Sequence, residues 1–272
     1  MHRSEETPPL STSLLSLIAL SLMAVAQLYP VPVSADEGGA GSSSGSWSLG
    51  VGVMSEKTPY KGRSRETDVL PLVKFENEYI SVFGPNIAFK LPGLEISDSQ
   101  QLDFSIVGDF DGSGYEDDDA DILEGMSERK SSFWAGGRVE WKTDLADISA
   151  EWLGDASGNS KGQRLGLGFE RTWHLGKQWM LTPRVGANWY DKKYVDYYFG
   201  VRDEEARFDR AAYNGKSSVN AEIGVRGIYQ FDKTHSAFMD VEVSTLGSGI
   251  KDSPLVDRSS QNNVTFGYLY NF

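Results

Sequence analysis

The acidic segment DFDGSGYEDDDAD, residues 109–121, is the densest group of potential metal ligands in the chain. It partly matches the calcium-binding loop of an EF-hand, with candidate ligands Asp109, Asp111, Ser113 and Asp117. The twelfth loop position, which should supply a bidentate glutamate, is Ala120. The segment is therefore a weak calcium candidate. The alternative is a solvated acidic loop that shares divalent cations with lipopolysaccharide phosphates.

Residues for acid–base or nucleophilic catalysis are not grouped in the sequence. Beyond the first residues of the chain there are two histidines, His174 and His235, and each falls at a tight turn of a different predicted hairpin. A catalytic nucleophile needs a base within hydrogen-bonding reach. Cysteine is absent, which excludes disulfides and thiolate metal sites. We predict no catalytic residues, no cofactor and no enzymatic activity.

Composition narrows the class of protein. The mean hydropathy of −0.38 excludes a polytopic helical membrane protein. It allows a membrane β-barrel, because barrel strands alternate apolar and polar residues. The 29 glycines and 12% aromatic residues favour an all-β protein. The net charge of −13 would repel phosphates, so nucleic acid is not an expected partner.

The first residues are typical of an export signal. Arg3 precedes an apolar core at residues 14–26, which is too short to span a bilayer as a helix. Small residues before Asp36 predict cleavage after Ala35. The predicted organisation is a signal peptide at 1–35, a Gly/Ser-rich linker at 36–45 and an outer-membrane β-barrel at 46–272.

The rest of the chain repeats a period of two residues, which predicts β-strands with one apolar face. The predicted strands lie near 46–54, 67–75, 79–83, 86–91, 101–109, 131–143, 146–154, 163–173, 179–190, 218–231, 236–246 and 261–272. The fold prediction is an all-β, antiparallel transmembrane barrel of about 12 strands. Ten is the alternative if 79–91 does not form two strands that cross the membrane. Pro71 is unexpected within a strand, because it cannot donate a ladder hydrogen bond.

Two features predict that the apolar face points outward to lipid. Tight and long connections alternate through the last two-thirds of the chain, as in barrels with short periplasmic turns and long extracellular loops. Aromatic residues gather beside the short turns, as in an interfacial girdle. These residues are Trp141, Trp173, Trp179, Tyr229, Phe231, Tyr270 and Phe272.

The inward face carries charges of both signs. They are Arg138, Glu140, Glu151, Arg164, Glu170, Arg184, Glu222, Arg226, Asp240 and Glu242. In a narrow barrel we favour ion pairs that partly fill the lumen, and a polar pore is the alternative. The aromatic-rich 191–217 loop is predicted to fold across the barrel mouth.

The chain ends in FGYLYNF, residues 266–272. We interpret it as the final strand, which pairs with the strand that starts near Trp47 and closes the barrel. A terminal aromatic on such a strand resembles the signal read by the outer-membrane assembly machinery. Outer-membrane lipid, lipopolysaccharide and that machinery are therefore expected partners.

Three segments resemble the MipA/OmpV family: LEGMSERKSSFWAGGRVEW (123–141), WMLTPRVGANWYDKKYVDYYFGV (179–201) and LGSGIKDSPLVDRSSQNNVTFGYLYNF (246–272). The resemblance implies an outer-membrane barrel. It also implies a non-enzymatic scaffold linked to a murein hydrolase and a peptidoglycan synthase, or to envelope stress. A narrow diffusion channel and a surface adhesion protein are the alternatives.

Overall fold

The computed structural model describes residues 45–272, so the predicted signal peptide and nearly all of the linker lie outside the described residues. The strands are β1 Ser46–Lys57, β2 Glu66–Glu76, β3 Ile80–Phe83, β4 Asn86–Ser97, β5 Gln100–Phe110, β6 Phe133–Lys142, β7 Asp147–Asp155, β8 Gln163–Glu170, β9 Trp173–Leu175, β10 Trp179–Tyr190, β11 Ser218–Gln230, β12 His235–Thr245 and β13 Ser260–Asn271. They form one antiparallel sheet.

The sheet closes on itself. β8 and β9 are two parts of a single strand, since both pair with β10. β1 pairs with β13 from Ser48↔Asn271 to Lys57↔Asn262, and the backbone N–H of Phe272 donates to the Trp47 carbonyl at 2.9 Å. The prediction of a 12-strand barrel, closed by its last strand, is therefore confirmed.

Removal of Phe272 is expected to lower the amount of assembled barrel, because it deletes a hydrogen bond of the closing seam and an exposed aromatic ring. Immunoblots of outer-membrane fractions would measure the effect. Phe208→Ala is the matched control, since this phenylalanine is fully exposed on a loop. Wild-type amounts of the truncated protein would contradict the expectation.

The alternating pattern places its apolar residues on the outside of the wall. Val51, Leu167, Val185 and Phe266 are exposed there, as an apolar belt around the barrel requires. Aromatic pairs lie at the end with the short turns, including Trp47–Phe75 and Trp179–Tyr229, whose ring centroids are 4.5 and 4.8 Å apart. The predicted girdle is thus present.

The β3–β4 hairpin departs from the predicted strand lengths. β3 has four residues, and β4 continues to Ser97 rather than ending near residue 91. The pair turns back at Gly84-Pro85, part-way up the wall, so β2 pairs with β3 only from Lys74 to Glu76. Both segments are paired strands of the closed sheet, so the count is 12 rather than ten, although β3 is too short to cross a membrane.

The position of Pro71 follows from this short hairpin. The N–H of Gly84 donates to the carbonyl of Val73, so the backbone polar groups of Val73 face β3. Because these groups alternate sides along an antiparallel strand, those of Pro71 face the same way. The proline therefore lies on an edge that β3 does not reach, where no ladder donor is required.

Two short α-helices, α1 Lys192–Phe199 and α2 Ser248–Lys251, and a 3₁₀ turn at Asp203–Glu205 occur in the long loops. Neither these nor any other helix in residues 45–272 has the length and apolar character needed to cross a membrane.

Candidate functional site: the lumen and its cap

A shared carboxylate lies on the lumen side of the barrel wall. Asp240 of β12 accepts hydrogen bonds from Arg184 of β10 at 2.7 and 2.8 Å, and from Arg226 of β11 at 2.9 Å. Arg184 also donates to Glu242 at 2.8 Å. Arg184, Arg226 and Asp240 are all buried, and we call these three residues the Asp240 cluster. The predicted pairing of opposite charges on the inward face is present at these residues.

Gly224 makes this arrangement possible. It lies on β11, between the strands that carry Arg184 and Asp240. A Cβ atom at residue 224 would approach the guanidinium carbon of Arg184 to 2.7 Å. The missing side chain therefore lets Arg184 reach across an intervening strand.

Two further guanidinium–carboxylate groups line the barrel. Arg138 donates to Glu151 at 2.8 Å through its Nε. Arg164 pairs with Asp109 and Asp111, and its guanidinium also lies 4.8 Å from the Trp134 ring centroid. Opposite charges in a low-dielectric lumen attract more strongly than on the surface.

The calcium candidates are divided between two environments. Asp109, Asp111 and Ser113 are buried, and Arg164 supplies the positive charge beside the two carboxylates. Asp117 is exposed in the following loop. Within residues 45–272, no three His, Cys, Asp or Glu side chains are grouped so that they could hold a metal ion.

The two histidines lie at the turn end of the barrel, on different hairpins. His174 is exposed on β9, and Nδ1 of His235 is hydrogen-bonded to the Tyr268 hydroxyl. The hydroxyl partner of His235 is therefore a tyrosine on the neighbouring strand β13.

Four loops pack together over the opposite end. These cap loops are residues 58–65, 111–132, 191–217 and 246–259. They share one hydrophobic core, which includes Tyr60, Tyr115, Ile122, Leu123, Met126, Tyr194, Val195, Tyr198, Phe199, Leu246, Ile250 and Leu255. The prediction that the 191–217 loop folds across the mouth is confirmed.

Helix α1 supplies the centre of the cap. The carboxylate of Asp191 accepts from the N–H of Tyr194 and caps the first turn. Tyr194, Val195, Tyr198 and Phe199 are buried on one face. Sequence reasoning missed this helix. The signal that could have found it is the Asp191 cap followed by apolar residues at i, i+1, i+4 and i+5.

Buried charges connect the cap loops. Arg129 donates from Nη2 to both carboxylate oxygens of Glu205, at 2.9 and 3.0 Å. Arg210 is 1% exposed and donates to the carbonyls of Glu205 and Glu124. The 111–132 and 191–217 loops are therefore joined by hydrogen bonds as well as by apolar packing.

Acidification should loosen the cap. Burial acts to raise the pKa of Glu205, but the N–H groups of Arg202 and Ser127 and the Arg129 guanidinium outweigh it and lower the pKa to about 2. Its ordinary value is 4.5. Because the pKa of Glu205 is lower in the folded state than in the unfolded state, its carboxylate stabilises the folded cap above pH 4.5. This stabilisation is lost as the pH falls toward 2.

Hydrogen exchange of the cap loops at pH 6 and pH 3 would measure this loss, after correction for the intrinsic exchange rate. Glu205→Gln should loosen the cap at pH 6 and abolish the pH dependence. Glu204→Gln is the matched control, since its side chain is exposed. A cap equally protected at both pH values would contradict the assignment.

The comparison with protein families decides the identity of this capped barrel. The model for MltA-interacting protein MipA matches residues 49–272, which is nearly the whole described chain. The chain belongs to the MipA family. The resemblance inferred from the three sequence segments is therefore correct.

Named relatives support the same assignment. The outer membrane protein OmpV of Vibrio cholerae is 25% identical over 228 residues, which cover 84% of this chain and 87% of OmpV. The MltA-interacting protein of Escherichia coli K12 is 24% identical over 246 residues, covering 88% and 95%. A solved outer membrane channel from Pseudomonas putida F1 aligns with a TM-score of 0.42 at 12% identity, covering 84% of this chain and 96% of the channel. The family match and the named outer-membrane relatives assign this MipA-family barrel to the outer membrane.

Proposed function

We propose that the protein is a non-enzymatic scaffold of the outer membrane that presents its periplasmic end to a murein hydrolase and a peptidoglycan synthase. The observation that carries the proposal is an inward face with buried ion pairs, under a packed cap. Buried ion pairs around Asp240 line the lumen, and the cap loops pack over its outer mouth. The rim and the outer wall are then the surfaces left for interaction.

The relative named MltA-interacting protein supports the choice of partner, because its printed name describes an interaction. The surroundings of the two histidines support the non-enzymatic part of the proposal. His174 is exposed, and His235 is engaged by a tyrosine hydroxyl rather than by a serine or an aspartate. A base and a nucleophile are therefore not paired at either histidine.

The β4–β5 hairpin is the part of the periplasmic end best suited to docking. The last backbone hydrogen bond that β4 donates to the β2–β3 turn comes from the N–H of Lys90. Residues 91–97 of β4 extend beyond this bond. An open cleft of about 510 Å³ lies beside the hairpin. Its lining includes Glu95, Ser97, Asp98, Gln101, Lys142 and Asp144. This polar surface fits a water-exposed protein partner.

Co-purification of a lytic transglycosylase with the full-length protein tests the scaffold. The double variant Glu95→Lys/Asp98→Lys should reduce capture at least tenfold, since it reverses the charge of the cleft. The control is Lys177→Glu, at the exposed β9–β10 turn. Capture that is unchanged in the double variant would reject this docking surface.

Planar-bilayer recordings distinguish the scaffold from a diffusion channel. The purified protein should show no steady ohmic conductance, because ion pairs line the lumen and a packed cap covers its outer mouth. A stable conductance in the wild-type protein would favour the channel instead.

We further propose lipopolysaccharide and the outer-membrane assembly machinery as partners. The calcium candidate at Asp109, Asp111, Ser113 and Asp117 stays a prediction. A thermal-shift titration with millimolar calcium tests it, and no shift would reject the site.

A further inference from the structure

The barrel wall has an opening on the side of the long loops. β3 and β4 turn back at Gly84-Pro85, while β2 continues upward to Glu66. In the described chain, residues 67–71 of β2 pair with β1 but have no strand partner on the other side. We call the gap between this edge and the end of β5 the window. At about 4.8 Å between neighbouring strands, it spans about three spacings, which leaves room for an added strand.

The exposure of two directly paired valines supports the window. Val53 of β1 and Val69 of β2 are cross-strand partners on the same outward face. Val53 has a strand on both sides and is 41% exposed, whereas Val69 is 70% exposed. The difference is expected if the second neighbour of Val69 is missing.

The β2 edge directs backbone hydrogen-bonding groups into the window. The carbonyl of Val73 accepts from the N–H of Gly84 on the β3 side. Because such groups alternate sides along an antiparallel strand, the N–H and carbonyl groups of Thr67 and Val69 face the window, as does the carbonyl of Pro71. Unpaired groups of this kind are unfavourable at membrane depth. An acyl chain offers neither donors nor acceptors, whereas the backbone of an added strand matches their spacing.

Two carboxylates without an ion-pair partner lie on the lumen side of this edge. Asp68 belongs to β2 itself, and its side chain lies on the same face as the buried Leu72. Glu56 of β1 lies opposite Glu66, is 6% exposed and is close enough to Asp68 for their charges to interact. Among residues 45–272, Glu56 and Asp68 form no ion pair and accept no side-chain hydrogen bond. A cation that entered the window would therefore meet uncompensated negative charge.

The cations nearby are already engaged or lie elsewhere. Arg63 of the 58–65 loop is paired with Glu66 and with Asp119. Arg65 donates to the side chain of Asn262 on β13, so it lies on the other side of β2 from the window. Neither guanidinium is placed to neutralise the carboxylate of Asp68 at the edge.

We propose that the window binds one extended, basic polypeptide segment from outside the cell, which joins the sheet as a strand along residues 67–71. Its backbone pairs with Thr67 and Val69. Its lysine or arginine side chains point inward to Asp68 and Glu56, and the apolar side chains between them lie beside Val69 and Pro71. Since side chains alternate along a strand, the ligand class is a peptide in which basic and apolar residues alternate.

This site lies on the opposite side of the membrane from the proposed murein-enzyme surface. Either proposal can therefore fail without the other.

Binding of a fluorescent heptapeptide of alternating valine and lysine tests the ligand class. The full-length protein is used in phosphatidylcholine nanodiscs, and fluorescence anisotropy should show saturable binding that empty nanodiscs lack. Glu56→Gln/Asp68→Asn should weaken it about tenfold, because the removed charges pair with the peptide. Glu116→Gln/Asp118→Asn is the matched control, which removes two exposed carboxylates of a cap loop. Equal affinity for a valine–glutamate peptide, or equal loss in both double variants, would overturn the site.

N-methylation of the peptide backbone tests the strand pairing. The N-methylated valine–lysine peptide keeps its charges but cannot donate hydrogen bonds to the edge. Its binding should fall to the level of empty nanodiscs. Unchanged binding would mean that charge alone holds the peptide, and would overturn the added strand.

Disulfide trapping tests the position of the strand. The chain has no cysteine, so Val69→Cys introduces a single thiol. A peptide with cysteine in place of one valine should cross-link to Val69→Cys about tenfold faster than to Val53→Cys, since a disulfide needs Cβ atoms about 3.5–4.5 Å apart. Val53 is the matched control, because it lies opposite Val69 but one strand further from the window. Equal rates would overturn the proposal, and so would a covalent dimer of the Val69→Cys protein without peptide, which would assign the edge to a second copy.

Discussion

Replacement of Asp240 by alanine is expected to destabilise the barrel by about 3–5 kcal/mol, the usual effect of breaking a buried ion pair by removal of one partner. Arg184 and Arg226 both donate to this carboxylate, and all three side chains are buried. Removal of the carboxylate leaves two like charges close together in a low-dielectric environment. Urea titration of the protein in lipid vesicles, followed by gel mobility, measures the change in unfolding free energy.

Asp257→Ala is the matched control for this prediction. Asp257 pairs with Arg258 at 3.0 Å, but both side chains are partly exposed on a cap loop. Such pairs contribute about 0–1 kcal/mol. If Asp240→Ala and Asp257→Ala destabilised the protein equally, the Asp240 cluster would not be a stabilising centre of the lumen.

Replacement of Tyr198 by alanine should open the cap and leave the wall intact. Tyr198 is 0% exposed, and its ring centroid lies 4.8 Å from those of Tyr194 and Tyr197. Its hydroxyl donates to Ser132 at 3.0 Å. Removal of a buried aromatic side chain costs about 3–5 kcal/mol. Proteolysis and hydrogen exchange of the cap loops should accelerate more than a hundredfold.

Tyr198→Phe separates packing from hydrogen bonding. It retains the ring and removes only the hydroxyl, so it should cost about 1 kcal/mol. Hydrogen exchange of the wall strands should change little in either variant, because the cap residues are not part of the ladder. Acceleration throughout the barrel would mean that the cap and the wall unfold as one unit.

The strands were predictable because their signal is local. Each wall residue faces either lipid or the lumen, so alternation alone predicts β11 and β13 to within about two residues. No such local pattern indicates how far a hairpin extends along the barrel wall. Gly84-Pro85 indicates a turn, but nothing in the sequence shows that this turn lies part-way up the wall.

The sequence predicts that opposite charges pair on the inward face, but it does not predict which residues pair. Alternation predicts that Arg184 and Asp240 face inward, but they lie on β10 and β12, with β11 between them. Their contact depends on the absence of a side chain at Gly224, which becomes evident only with the register. The cap helix was missed for another reason: its apolar face covers only two turns of an aromatic-rich loop.

The seam between β1 and β13 has a consequence for the order of folding. All other strand neighbours follow one another along the chain, so each can form as a local hairpin. At the seam, Ser48 donates to Asn271, 223 residues away. Closure must wait until every intervening hairpin is in place, and it bears the largest loop entropy of the fold. The rate-limiting step of assembly is therefore expected at this seam, so variants there should slow barrel formation more than equal changes within any hairpin.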